Sequence, residues 1–169
     1  IGMDHFALPT DSLYAASERA TLHRNFMGYI SRQVAPLIGL GVSAIGDAWS
    51  AFAQNEKLLE TYQERVNKGE IPVFRGHILD SEDLVIRKHV LNLMTRFKTE
   101  WTEADLQTPY LVNVPEKLSE LSYDGLLNLT QTSCSVNETG RAFLRNICMA
   151  FDARLARRAP STALFSKTI

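Results

Sequence analysis

With 169 residues, 45% of them apolar and 22% charged, the chain has room for one domain or one and a half and an ordinary globular composition. Lys and Arg number 18 against 19 Asp and Glu, a formal net charge of −1, so no global attraction draws it to nucleic acid or to a membrane surface. Two cysteines are too few for a disulfide scaffold, and no apolar run approaches the ~20 residues of a membrane span, so a cytoplasmic, reducing setting is expected.

The opening run "IGMDHFALP" has neither a basic head nor a long apolar core, and it begins abruptly on Ile1. It reads as a short strand over 1–7, in a piece cut from a longer protein. Pro9 and Asp11 open a helix over Ser12–His23, with Leu13, Ala16 and Ala20 on one face. "RNFMGYISRQVAP" reads as a loop, Leu37–Ile45 as a second strand, and Trp49–Asn67 as a helix closed by Lys68-Gly69. The alternation of strand and helix is that of a βα barrel or a doubly wound sheet, and two such units cannot close a barrel. Strands cut free of such a barrel would expose ladder groups, so self-association through 1–7 and 37–45 is expected.

"KGEIPVFRGHILDSED" marks a change of pattern, with a linker over 70–80. Beyond it the chain is mainly helical. Asp80 caps a helix with Asp83 three residues on, and Ile86, Val90, Leu93 and Phe97 form a stripe at helical spacing. Short helices follow near Glu103–Gln107 and Pro115–Leu121. Leu127, Leu129 and Val136 alternate about a polar turn, which indicates a hairpin. A last helix starts at Asn137 or Thr139 and carries Phe143, Ile147, Phe151 and Leu155. The order resembles a winged helix, with an α+β, mainly helical fold overall. The tail "PSTALFSKTI" is left open between frayed and docked.

His5 in the first strand is a candidate substrate contact or proton carrier, against the plainer reading of a structural histidine. Arg24–Tyr29 gather a cation, an amide, two large apolar side chains and a glycine, a loop suited to holding a flat or sulfur-bearing ligand. Gly39 and Gly41 form a GxG that is too short for a dinucleotide fingerprint but permits close backbone approach. Arg141, Arg145, Arg154, Arg157 and Arg158 give the end of the chain a basic character. That invites a nucleic-acid reading, which the net charge and the acidic neighbours disfavour. Arginine forks suit carboxylates equally well. Cys134 and Cys148 lie too far apart, without companions, for a zinc or iron–sulfur site, and no metal site is expected.

Four segments, "IGMDHFALP", "HRNFMGY", "GLGVSAIGD…AFAQNEK" and "RNICMAFD", with the ending "FSKTI", resemble the oxygen-independent coproporphyrinogen III oxidases, or dehydrogenases. These are radical S-adenosylmethionine enzymes of heme biosynthesis. The related heme-chaperone branch differs at "DHFA" and "GVSAI". The resemblance implies a longer enzyme whose N-terminal barrel carries a CxxxCxxC motif for a [4Fe–4S] cluster, a motif not found in these residues. The cluster generates a deoxyadenosyl radical from S-adenosylmethionine, two propionates of coproporphyrinogen III become vinyls, and protoporphyrinogen IX results. Residues 1–69 are then expected as the last two βα units of the radical barrel, and 81–169 as a winged-helix-like domain covering substrate. The segment alone is expected to be inactive, without the cluster, and the electron donor is left unassigned. The family's second S-adenosylmethionine pocket maps onto Phe26, Met27 and Ile45, with Met27 standing where some members carry glutamine. Because the implied substrate is a tetracarboxylate, Arg145 and Arg141 are candidate propionate contacts alongside His5. No partner nucleic acid or membrane is expected.

Overall fold

The computed structural model describes residues 1–3 and 5–158. Two compact units divide the chain: one holds Ile1 and His5–Leu84, the other Gly2, Met3 and the residues from Val85 on.

The first unit opens with helix α1 (Ser12–Glu18), whose Asp11 carboxylate accepts from the Leu13 N–H at 2.7 Å. The expected extension of α1 to His23 does not form. Ala20 takes a left-handed φ of 55°, and the chain turns into an antiparallel hairpin of β1 (His23–Asn25) and β2 (Gly28–Ile30). The segment expected as a loop is therefore this hairpin, with Phe26 and Met27 as its two-residue turn. A three-stranded antiparallel sheet follows, β3 (Ile45–Asp47), β4 (Ala51–Asn55) and β5 (Val73–Ile78), paired in that order. Helix α2 (Leu59–Asn67) joins β4 to β5 and ends at Gly69 with φ 74°, as the Lys68-Gly69 pair indicated.

Three sequence expectations are corrected here. No strand forms over 1–7 among its described residues. Leu37–Ile45 is not a strand: Gly41 (φ 100°) and Ser43 (φ 63°) reverse the chain, and Leu37 bridges back to Asp47. The edges expected to mediate self-pairing at 1–7 and 37–45 are absent with them. The expected helix Trp49–Asn67 begins only at Leu59, because Trp49 is left-handed (φ 67°) in the β3–β4 turn and residues 51–55 pair with β5. The Asp47 carboxylate fixes that turn by accepting from the Trp49 N–H at 2.8 Å. The strands of this unit are antiparallel hairpin neighbours, and the βα order expected for 1–69 does not appear. Residues 70–80, expected as a linker, carry β5.

The second unit is built on α3 (Ser81–Arg96), which starts in a reciprocal cap: the Asp83 N–H donates to Asp80 Oδ1 at 2.8 Å and the Asp80 N–H to Asp83 Oδ2 at 3.3 Å. Then come β6 (Lys98–Glu100), α4 (Glu103–Leu106), a 3-10 turn (Leu111–Asn113) and α5 (Val114–Tyr123). The expected hairpin forms as β7 (Leu127–Leu129) and β8 (Ser133–Val136), with β8 central between β6 and β7. The stripe Ile86, Val90, Leu93, Phe97 joins a core that includes Leu111, Leu118, Leu144, Ile147 and Phe151. The single final helix is corrected to a 3-10 turn (Thr139–Phe143), α6 (Leu144–Met149) and α7 (Ala153–Arg158). The first break falls at Phe143, whose φ of −103° and ψ of 14° depart from helical values, and Gly140 within the 3-10 turn lies so close to Leu126 that a Cβ would overlap the Leu126 carbonyl. The tail from Ala159 on lies outside the described residues.

His89 of α3 is fully buried, with Nδ1 2.8 Å from Thr99 Oγ1 and the ring stacked on Phe151. Its Nε2 has no hydrogen-bond partner and lies 3.9 Å from Asp105 Oδ2. Burial, reinforced by the neighbouring Lys88 charge and opposed by Asp105, pushes the imidazole down to about 4. Burial alone would raise Asp105. The Lys88 ammonium at 2.6 Å, with the backbone and hydroxyl of Thr102, outweighs it and holds the carboxyl at about 2.

The sign of the pH dependence follows. The unfolded chain takes up a proton at His89 below about pH 6.5 while the folded chain resists it to about 4, so stability is full above 6.5 and falls through that window. The expected loss between pH 7 and pH 4.5 is on the order of 2–3 kcal/mol. Urea denaturation of the wild type and His89→Gln at both values measures it, and the variant is expected to lose much less. Equal losses in the two proteins would exclude His89 as the cause. A second outcome concerns Gly39, where a Cβ would meet Ile45 backbone atoms at 2.8–2.9 Å. Gly39→Ala is expected to cost about 1–3 kcal/mol in thermal or urea unfolding, and an unchanged midpoint would mean the segment simply shifts.

Candidate functional site

The hairpin β1–β2 and the sheet β3–β4–β5, both in the first unit, carry most of the residues singled out by sequence. Register pairs Arg24 with Tyr29 and Asn25 with Gly28, leaving Phe26 and Met27 at the tip. The Asn25 side chain braces this turn, its Oδ1 accepting from the Met27 N–H at 2.8 Å. Both tip side chains face solvent, Phe26 at 54% and Met27 at 82% exposure. The Phe26 ring meets Phe52 of β4 edge to face, with centroids 5.0 Å apart.

Phe52 pairs with Asp47 and Gln54 pairs with Ile45 across the β3–β4 ladder. Directly paired residues point to one face, as do residues two apart along a strand, so Ile45 shares a sheet face with Phe52. The structure therefore brings Phe26 and Ile45 to one face through Phe52, with Met27 adjacent at the tip. The opposite face is lined with small residues: Gly46, Ala53 and Gly76 stand in register across the three strands. A cavity of about 470 Å³ opens there, bounded by Leu37, Ile38, Leu40, Ala51, Ala53, Tyr62, Val66, Ile71 and Val73, so its walls are almost wholly apolar.

His5 also reaches the hairpin. Its ring stands edge-on to Tyr29 at 5.0 Å, and Nε2 would lie 3.4 Å from a Cβ on Gly28. Tyr29 is buried, in a small core with Ala16 and Leu22. The Arg24 guanidinium lies over the same ring, 5.5 Å from its centroid. Sequence placed Arg24 in the ligand-suited loop but could not show its cross-strand stacking, nor the role of Phe52 in linking tip and sheet.

In the second unit, Arg141 is already engaged. Its Nη1 is 3.3 Å from Glu138 and its guanidinium lies over Phe97 at 4.5 Å. Arg145 is exposed on α6. Cys134 and Cys148 are buried free thiols, and burial pushes Cys134 up to about 11. No group of three metal-ligating side chains occurs among the described residues, so they do not fit an iron–sulfur cluster. No helix among them is long and apolar enough to cross a membrane.

No family model matches the chain. Among curated proteins it is similar to the oxygen-independent coproporphyrinogen III oxidase of Thermostichus vulcanus, at 39% identity over all of this chain and 53% of that protein. The proteins of the same name from Salmonella typhimurium and Escherichia coli are 36% and 35% identical over 94% of this chain and 36% of theirs. Among solved structures, the Escherichia coli coproporphyrinogen III oxidase, described as a radical SAM enzyme, matches with a TM-score of 0.82 and 35% identity, over 90% of this chain and 36% of that one. The chain thus spans between about a third and about half the length of these relatives. Over that span it is a homologue of the oxygen-independent coproporphyrinogen III oxidases.

Proposed function

We propose that this chain is the segment of a radical S-adenosylmethionine coproporphyrinogen III oxidase that follows the cluster-binding part, and that it contributes a cofactor-facing hairpin and a substrate-covering unit. The full enzyme oxidatively decarboxylates two propionates of coproporphyrinogen III to vinyls, giving protoporphyrinogen IX. The observation that carries this reading is the agreement in fold and sequence with the Escherichia coli enzyme over 90% of the chain. The order α3, β6, α4, α5, β7, β8, with β8 between β6 and β7, supports the winged-helix-like description of the second unit. The apolar cavity and the exposed Ile38, Leu40 and Ile71 beside it support a first unit that closes against further chain of the enzyme.

Phe26, Met27 and Ile45 would hold a second S-adenosylmethionine. The exposed aromatic edge of Phe26 and the half-buried Ile45 offer apolar contact to an adenine or a sulfonium methyl, and Met27 adds polarizable surface without a side-chain donor. When bound with the cluster elsewhere in the enzyme, S-adenosylmethionine supplies radical chemistry; this segment binds and orients. His5 and Arg145 remain candidate contacts for the substrate carboxylates, and Arg141 would first have to leave Glu138.

Two experiments test the reading. Exchanging this chain for the matching third of the Escherichia coli enzyme is expected to give a chimera that forms protoporphyrinogen IX anaerobically, while the chain alone cleaves no S-adenosylmethionine. A folded chimera that retains its cluster and makes no product would sink the assignment. By calorimetry on the chain, Phe26→Ala is expected to weaken S-adenosylmethionine binding about tenfold, and Met27→Gln to tighten it about three- to tenfold by restoring a hydrogen bond. If neither substitution moves the affinity, the hairpin tip is not the pocket.

A further inference from the structure

Arg24 has a feature that neither the turn nor the sheet accounts for. Its Nε is buried and donates to nothing, and no acidic side chain pairs with its guanidinium among the described residues. Two other arginines in this unit are paired: Arg65 donates to the Val73 carbonyl and pairs with Glu56 at 3.0 Å and Glu70 at 3.4 Å, and Arg75 donates to Gln54, while Arg19 and Arg32 are exposed to water. A guanidinium cannot shed its charge, and a buried N–H without an acceptor is costly, so such a group marks a place where an acceptor is to arrive.

The position of Arg24 defines the acceptor. Its cross-strand partner Tyr29 is buried and holds the guanidinium from one side, with the His5 ring standing against the same tyrosine. The guanidinium lies over the Tyr29 ring, 5.5 Å from its centroid, and the acceptor that best matches a guanidinium fork is a planar, two-oxygen anion. The turn residues Phe26 and Met27 lie within three positions along the same hairpin and present apolar surface to solvent. Apolar surface beside a preoriented, unpaired fork fits a ligand with an apolar body and a terminal carboxylate.

We propose that Arg24 is a carboxylate anchor of the hairpin site, stacked on Tyr29 and forked onto a carboxylate of the ligand that Phe26 and Met27 contact. This rests on the reading of the hairpin as a ligand site. Under that reading two ligands carry the required chemistry: the tetracarboxylate porphyrinogen, and S-adenosylmethionine through its amino-acid end.

The test titrates the 169-residue chain with coproporphyrin III, the stable oxidised tetracarboxylate, by fluorescence, and with S-adenosylmethionine by calorimetry. The tetramethyl ester of the porphyrin serves as the control that keeps the ring and removes the charges. Arg24→Gln is expected to weaken one of the two acids tenfold or more and to leave the ester unchanged, with Arg24→Lys recovering part of the loss. Loss confined to coproporphyrin identifies a propionate as the partner, and loss confined to S-adenosylmethionine identifies its amino-acid carboxylate. In the wild type, the Arg24 Nε–H resonance is expected to shift on addition of that ligand, which reads the contact without any substitution. Binding that is equal in wild type and Arg24→Gln, with an unmoved Nε–H resonance, overturns the anchor while leaving the hairpin as a site. Wild-type chain that binds neither acid overturns the hairpin site and the anchor together.

Discussion

One side chain holds the first unit in register. The Asn55 amide, nearly buried at the end of β4, donates to the carbonyls of both Gly39 and Gly41 at 2.9 Å, while its backbone N–H donates to Ala44. A single residue thus ties down three points of the reversal between Leu37 and Ile45. The Tyr62 hydroxyl of α2 adds a fourth bond, a second at Gly41, by accepting from the Gly41 N–H at 3.2 Å. With these carbonyls satisfied, Gly39 can lie directly on the Ile45 backbone, where any side chain would collide. That fixes where β3 begins, hence which face Ile45 shares, and so the relation of Ile45 to Phe52 and Phe26. The close approach that the GxG permits is to the chain's own backbone. Whatever Ile45 contacts in the working protein, its placement is an internal matter settled by Asn55.

The hairpin obeys a different constraint. Its turn is closed by a local bond from Asn25, and its body is anchored by Tyr29, so the tip projects while the base stays packed. A rigid base under exposed apolar residues is an arrangement that selects a ligand face at little cost in conformational entropy. Arg24 and Tyr29 belong to the base, where the cation–π contact holds the guanidinium without an ion pair among the described residues.

What the sequence made legible was local. Asp80 with Asp83, Lys68 with Gly69, and the Leu127–Val136 alternation each signal within two to ten residues, and each marks its element in the structure. The failures are non-local. Ala51–Asn55 is composed of residues that tolerate a helix, and pairing with β3 on one side and with β5, some twenty residues on, on the other makes it a strand. The reversal at 39–44 depends on Asn55 and Tyr62, neither adjacent in sequence. His89 lies within the α3 apolar stripe, between Ile86 and Leu93 at helical spacing, and histidine there carries no signal of burial until Thr99 and Phe151 close around it. "RNFMGY" was readable as a place where the chain turns, and the structure makes Phe26 and Met27 the tip of a hairpin there. The missing acceptor of Arg24 Nε among the described residues was not readable, since pairing depends on everything that folds around the side chain.

The two units differ in how they satisfy the hydrophobic effect. The second has a continuous core from Leu93 to Phe151, with Leu93, Leu118, Ile147 and Phe151 fully removed from water. The first has a buried apolar cluster of only Ala16, Leu22 and Tyr29, and leaves Phe6, Ile38, Leu40, Ile71, Phe74 and Ile78 more than half exposed. At roughly 25 cal/mol per Å² of apolar area, each such side chain left in water forgoes about 1.5–3 kcal/mol of stabilisation. Six of them amount to about 10 kcal/mol or more, comparable with the whole stability of a domain. Unit one therefore rests on its hydrogen-bonded ladders and the Asn55 tie. The sheet is lined by small residues on the cavity side and bears Phe52 and Ile45, with the Phe26 tip, on the other.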